Sequence, residues 1–346
     1  MVAIIIPTKD RSEFIERLLC YYAEIKCSHR IYIADSSSQK KHIDNIKDII
    51  NKLSENIEVI YSHYPNTNIE EAKRLTLEDN VKEKYAAYCG DDDFLIPSTL
   101  DECAKFLDNN KEYSNCHGTG LIFNTNDDPL KGPIASVVDY DLYANELSDP
   151  LSRLKLYFSE YWPIWSVRRT DEFKESLRYL KDISVESFRE ITMGCLPIIY
   201  GKTKRVDSLY VVRQFHQSRH KEPDPVSAFL SKDWQSSFQK MLLILSSRLS
   251  EDYSLNNDEC IKAIEQSFSI YYSKVLAARL NRKETNQNLH FLSRPFLKNN
   301  FKYLYNNFYL RYISKGTNIE KLRNQKLDNY LEFRKVDEFI GTYKKQ

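Results

Sequence analysis

Short apolar runs alternate with segments of helical spacing along the first third of the chain, and that alternation leaves few folds open. Residues 2–6, 31–34, 57–61 and 85–89 are rich in Ile, Val, Ala and Tyr and read as β-strands. Between them Phe14, Leu18, Leu19, Tyr22 and Ile25, and then Ile43, Ile46, Ile49, Ile50 and Leu53, recur at the spacing of one helix face. Residues 69–79 read as a third helix, and Ser98 is placed to cap a fourth that carries Leu100, Cys103, Ala104 and Leu107. Asp10 and Glu13 form a capping-box pair for the first helix. Strand–helix units this short imply crossover connections. The expected fold class is therefore α/β, with a Rossmann-like, mostly parallel sheet and helices on both faces. Ligands of such sheets bind beyond the carboxyl ends of the strands. The polar loops 7–11, 35–38, 64–68 and 90–93 all fall on that edge.

The last of these loops is unusual. In Tyr88-Cys89-Gly90-Asp91-Asp92-Asp93-Phe94-Leu95-Ile96-Pro97, three consecutive carboxylates stand between two apolar runs. An acidic run is ordinarily a solvated face or tail. Here the chain leaves a core strand to present it, which suits a hard divalent cation held by oxygen ligands and shared with a phosphate. The competing reading is a solvated turn followed by a helix cap.

Composition bounds the function. At 346 residues the chain can bury a large core, and 50 Lys and Arg against 49 acids leave no global basic footprint, so nucleic acid is not an expected partner. The seven cysteines are scattered without a C-x-x-C pair, which argues against both a disulfide framework and a zinc site. The chain opens directly into its first apolar run with no basic flank or cleavage site, and no stretch approaches the roughly 20 apolar residues of a membrane span. A cytoplasmic location is expected, with a peripheral contact at the inner face of the cell membrane as a further option.

After residue 110 the rhythm changes. Residues 117–124, 137–143, 162–167 and 208–215 read as strands, and 188–200 as a helix ending at Gly201. The segment Glu222-Pro223-Asp224-Pro225 is the expected boundary between a domain at 1–221 and a helical C-terminal extension at 222–346. In that extension residues 291–298 and 301–305 interleave aromatics with cations, a pattern that suits either an anionic membrane surface or a packed helix.

Several of these segments, in order, resemble one family. Ile5-Ile6-Pro7-Thr8-Lys9-Asp10-Arg11 is similar to the opening strand and loop of GT-A glycosyltransferases of the inverting family 2 type, and Ala34-Asp35-Ser36-Ser37 to their second-strand motif. Gly90 to Pro97 resembles their metal-binding D-x-D segment. Arg189-Glu190, eleven residues before Gly201, resembles their acidic pair, and Tyr210 to His216 their late strand with a metal-contacting His. The resemblance covers about residues 2–220, in the family's order, and such an ordered set is more specific than any single motif.

The resemblance implies a GT-A fold and transfer, with inversion, from a nucleotide-sugar donor to a saccharide or lipid-linked acceptor in bacterial surface polysaccharide synthesis. The implied cofactor is Mg²⁺ or Mn²⁺, which neutralises the diphosphate leaving group. Asp92, Asp93 and His216 are the implied metal residues. Asp91 and Asp93 ligate the metal or orient ribose and metal waters, and Asp35 meets the base or ribose, its rival reading being a turn former before three serines. Pro7, Thr8, Lys9, Arg11 and Lys73 complete the donor site, although Arg11 and Lys73 read more readily as solvated helix charges. Glu190 is the implied base that deprotonates the acceptor hydroxyl, with Glu186 as its rival. Two departures stand out: Gly90 occupies the place of the family's first Asp, and Glu190 that of its catalytic Asp. Trp162 and Trp165 read either as core or as an acceptor platform. Two other functions use the same features: a non-catalytic nucleotide-sugar or carbohydrate binding partner subunit, and a nucleotidyltransferase.

Overall fold

The structure is a computed structural model that describes residues 1–125, 128–160, 165–216, 228–292 and 327–344. Among them, nine strands form one sheet: β1 (Val2–Thr8), β2 (Ile31–Asp35), β3 (Val59–His63), β4 (Tyr85–Tyr88), β5 (Phe94–Leu95), β6 (Tyr113–Thr125), β7 (Ile134–Tyr140), β8 (Val167–Arg169) and β9 (Lys202–Gln214). Their order is β3-β2-β1-β4-β8-β6-β9-β5, with β7 paired to β6 off this path. The first half is a parallel, Rossmann-like unit in which β2 pairs with β1 and β3, and β1 with β4. The second half is mixed: β8 runs antiparallel to β4 and β6, β6 runs parallel to β9, and β5 closes on β9 antiparallel.

Helices cover both faces, as the α/β reading requires. They are α1 (Ser12–Glu24), α2 (Lys40–Leu53), α3 (Ile69–Asp79), α4 (Pro97–Asn109), α5 (Pro150–Glu160), α6 (Thr170–Leu180), α7 (Glu186–Tyr200), α8 (Trp234–Tyr253), α9 (Asn257–Leu292) and α10 (Leu327–Thr342). Strand β1 shows how two cores arise from one strand, because its side chains alternate between faces. Val2, Ile4 and Ile6 join a cluster with Ile15 and Leu18 of α1, Ile46 of α2, Leu100 of α4 and Phe339 of α10. Ala3 and Ile5 join the opposite cluster with Leu77 of α3 and residues of α5 to α9. The chain thus covers one face up to β3 and changes face through α3. The ends of β1 and β4 flank the resulting switch point, where open α/β sheets place their ligands.

Packing of β6 on β9 leaves no room at Gly118, where an added Cβ would lie 2.0 Å from the Ser208 carbonyl oxygen and 3.0 Å from Tyr210 Cβ. Backbone cannot rotate out of the way, so Gly118→Ala is expected to cost about 3 kcal/mol, the upper range for overpacking. Urea unfolding followed by far-UV circular dichroism measures it; a loss within 0.5 kcal/mol (roughly the level of a surface change) would refute this account of the packing.

Three local expectations change. The Asp10–Glu13 capping box is absent, since Arg11 is the residue before α1 and makes no side-chain cap bond. Asp10 instead adopts φ 53°, a left-handed conformation that Asp tolerates. From there its carboxylate accepts from the backbone N–H groups of Ser38 and Gln39, at 3.0 Å each, and so caps the start of α2. Helix α4 starts on Pro97 rather than at a Ser98 cap. Strand β8 is only Val167–Arg169. The boundary segment 222–225, Trp162, and residues 293–298 and 301–305 lie outside the described residues. Among the described residues, no helix is long and apolar enough to cross a membrane.

Candidate active site

At the β1/β4 switch point lies a cavity of about 550 Å³. One wall is the loop after β1 (Pro7, Thr8, Lys9, Arg11) with the turn after β4 (Gly90 to Asp93). The other is α7, which contributes Glu186, Arg189, Glu190 and Met193. Its volume is that of a small-molecule site.

The acidic triplet is built into the fold rather than solvated. Asp93 N–H bonds the Gly90 carbonyl at 3.2 Å, closing a tight turn between β4 and β5. The side chains then diverge. Asp91 accepts from Thr8 Oγ1 at 2.8 Å and pairs with Arg11 Nη1 at 3.0 Å. Asp92 pairs with Arg11 Nη2 and with His216 Nε2, each at 2.9 Å. Asp93 points toward β9, where it accepts from the Gln214 backbone N–H at 2.9 Å and meets Arg213 Nε at 3.3 Å. Burial raises Asp91 and Asp93 above the usual carboxylate range, against the pull of Arg11 and Arg213 respectively. Burial works the same way on Asp92 but loses to the His216 hydrogen bond and the Arg11 charge, which hold Asp92 well below that range. A Cβ at Gly90 would lie 2.9 Å from Asp93 Oδ2 and 3.0 Å from Asp92 Oδ1. An Asp at position 90 would therefore displace the two carboxylates behind it, which gives the departure at Gly90 a steric reason.

Two arginines that sequence reading did not single out organise this turn. Arg17 on α1 is fully buried; it donates to the Asp92 carbonyl at 3.1 Å and to the Pro129 carbonyl at 2.8 Å. Burial pulls its guanidinium down to about 10, so it remains charged at neutral pH. Arg213 lies between the rings of Tyr140 and Trp165, at 4.9 and 4.6 Å. Both had signals in the sequence. Arg17 falls on the Phe14, Leu18, Tyr21 face of its helix, and Arg213 interrupts an apolar strand.

The other expected residues separate into those that line the cavity and those that do not. Pro7, Thr8, Lys9, Arg11, Lys73, all three Asp residues and Glu190 line it. Lys73 is not a solvated charge: it is buried, pairs with Glu70 at 2.6 Å and lies over the Tyr88 ring at 4.9 Å. Asp35 lies at the neighbouring strand end, fully buried, with one oxygen on the Ser37 N–H at 2.8 Å and the other on the Tyr61 hydroxyl at 2.7 Å. It shapes the turn beside the cavity without lining it. His216 ends the segment after β9 and stacks on Phe14 at 5.1 Å. Glu186 and Glu190 are exposed on one face of α7, four residues apart, so either can meet a molecule entering from solvent. Trp165 lines the cavity against Tyr88, with ring centroids 4.8 Å apart.

Carboxylate oxygens suit Mg²⁺ or Mn²⁺ in donor chemistry, and the imidazole nitrogen beside them is a softer donor. Among the described residues no three His, Cys, Asp or Glu side chains form a ready-made metal centre. Mg²⁺ does not need one, since it binds through one or two carboxylates plus phosphate oxygens and water. Asp92, in the cavity lining, fits that requirement, and His216 lies 2.9 Å from it.

No protein-family model and no curated protein sequence matches the chain. Among solved structures, the crystal structure of S. aureus TarS 1-349 is similar at 14% identity with a TM-score of 0.48, covering 79% of this chain and 72% of that one.

Proposed function

We propose that the chain is a metal-assisted, inverting glycosyltransferase that takes a sugar from a nucleotide-sugar donor. The observation that supports this reading is one cavity at the sheet's switch point, with Thr8, Arg11 and the Asp triplet on one wall and Glu190 on the other. The donor diphosphate lies against the loop after β1, where Lys9 and Arg11 offer cations and Lys73 supports the floor. Asp35 and its turn border the ribose and base. Asp92 and His216 hold the divalent cation, which supplies charge neutralisation for the leaving diphosphate. Glu190 accepts the proton of the acceptor hydroxyl as that oxygen bonds to the anomeric carbon. The bond from that carbon to the phosphate oxygen breaks on the opposite side, which inverts the configuration. An acceptor that is a saccharide or lipid-linked saccharide, as in surface polysaccharide synthesis, follows from the sequence resemblance.

Calorimetric titration of UDP, GDP, CDP and dTDP, with and without Mn²⁺, tests the donor site. One of them is expected to bind, more tightly with Mn²⁺, and the matching sugar nucleotide to be turned over. Binding without turnover over a panel of acceptors would favour a carbohydrate-binding subunit. Release of pyrophosphate from a nucleoside triphosphate would favour a nucleotidyltransferase.

A further inference from the structure

The three groups nearest the proposed metal position all surround one guanidinium. Arg11 Nη1 lies 3.0 Å from Asp91 Oδ1, and its Nη2 lies 2.9 Å from Asp92 Oδ2 and 3.5 Å from His216 Nε2. The guanidinium rests on the Phe14 ring at 4.3 Å, and the same ring stacks on His216. Its side chain keeps 23% of its surface exposed and lines the cavity, so it has a path outward. We propose that Arg11 is a built-in counter-cation that occupies the metal position in the donor-free protein and is exchanged for the divalent ion when the donor arrives. The inference rests on the glycosyltransferase reading above and adds an order of events to it.

Like charges repel one another strongly in a confined place. A divalent ion at Asp92 and His216 would lie within a few ångströms of the guanidinium and repel it. Metal alone must therefore expel Arg11 from two carboxylates with nothing in exchange. A diphosphate changes that balance, because its oxygens accept the guanidinium's fork in two-point hydrogen bonds. Metal and diphosphate thus each favour the rearrangement that admits the other. Their affinities are coupled, and linkage makes the coupling reciprocal.

The test is Mn²⁺ affinity, read by electron paramagnetic resonance of free Mn²⁺ and by calorimetry, on metal-free wild type, Arg11→Met and Arg11→Lys, with and without UDP (GDP in parallel). Wild type is expected to bind Mn²⁺ weakly alone and more tightly with the nucleotide. Arg11→Met, which removes the charge at similar length, is expected to bind Mn²⁺ alone at least ~10-fold more tightly and to lose most of the nucleotide's enhancement. Arg11→Lys keeps a cation in place and is expected to stay weak. Thermal unfolding checks that each variant is folded and gives a second readout, since Mn²⁺ should raise the melting temperature of Arg11→Met more than that of wild type. Equal or weaker Mn²⁺ binding by folded Arg11→Met overturns the exchange and leaves the metal site standing. No Mn²⁺ binding by any of the three proteins, even with nucleotide, overturns both.

Discussion

Glu190→Gln is expected to lower kcat by on the order of 10²–10⁴-fold, the usual contribution of a general base, with donor affinity unchanged. The side chain lines the cavity across from the Asp triplet and is exposed to solvent, so an incoming hydroxyl can reach it. Gln keeps the size and polarity of Glu but cannot take the proton. Glu186 is the control, one turn earlier on the same face and lining the same cavity. It sits in the first turn of α7. Glu186→Gln should change kcat by less than about 10-fold if Glu186 has no proton to accept. Single-turnover assays with a radiolabelled donor separate chemistry from binding. A large loss confined to Glu186→Gln would transfer the role to Glu186, and a product that retains the donor's anomeric configuration would remove both from it.

The features legible in the sequence share one property: they depend on neighbours along the chain. The strand–helix alternation placed β1 to β4 and their loops, because burial on both faces makes each parallel strand a short, continuous apolar run. Asp91 to Asp93 stood out for the same reason, as charge flanked by core. The features that were not legible depend on partners far away in the chain. Asp10 serves α2, not the adjacent helix, because its φ of 53° turns the carboxylate away from α1. Lys73 read as a surface charge, yet it is buried over the ring of Tyr88 on the following strand. Arg17 is buried with its two Nη nitrogens on backbone carbonyls far along the chain, those of Asp92 and of Pro129, and the latter also accepts from Gln214 Nε2. Asp35 was legible as a strand-end acid with a local turn bond from the Ser37 N–H, but its second hydrogen bond comes from Tyr61 of the neighbouring strand. In each case the residue type hinted at a polar task, while the partner was a matter of tertiary geometry.

The same distinction separates the consecutive carboxylates experimentally. Asp92→Asn is expected to weaken Mn²⁺ binding in the presence of nucleotide by roughly 100-fold or more, since outer-shell changes alone cost 10–100-fold. Asp92 faces Arg11 and His216 beside the cavity, so losing its charge removes the anion nearest the proposed cation. Asp93→Asn should behave differently. Both Asp93 oxygens are committed to β9, one to the Gln214 N–H and one to Arg213, and the side chain is 2% exposed. Its amide could still accept from the Gln214 N–H, but Arg213 would lose its carboxylate partner while remaining between Tyr140 and Trp165. Breaking a buried ion pair from one side costs about 3–5 kcal/mol. Asp93→Asn is therefore expected to appear mainly as lost stability in urea unfolding, with Mn²⁺ affinity within about 10-fold of wild type under conditions where it is folded. Measuring both quantities on both variants yields two opposite profiles if the carboxylates divide the work in this way. Loss of Mn²⁺ binding in folded Asp93→Asn, with Asp92→Asn unaffected, would reverse the assignment and place the cation on the β9 side of the turn.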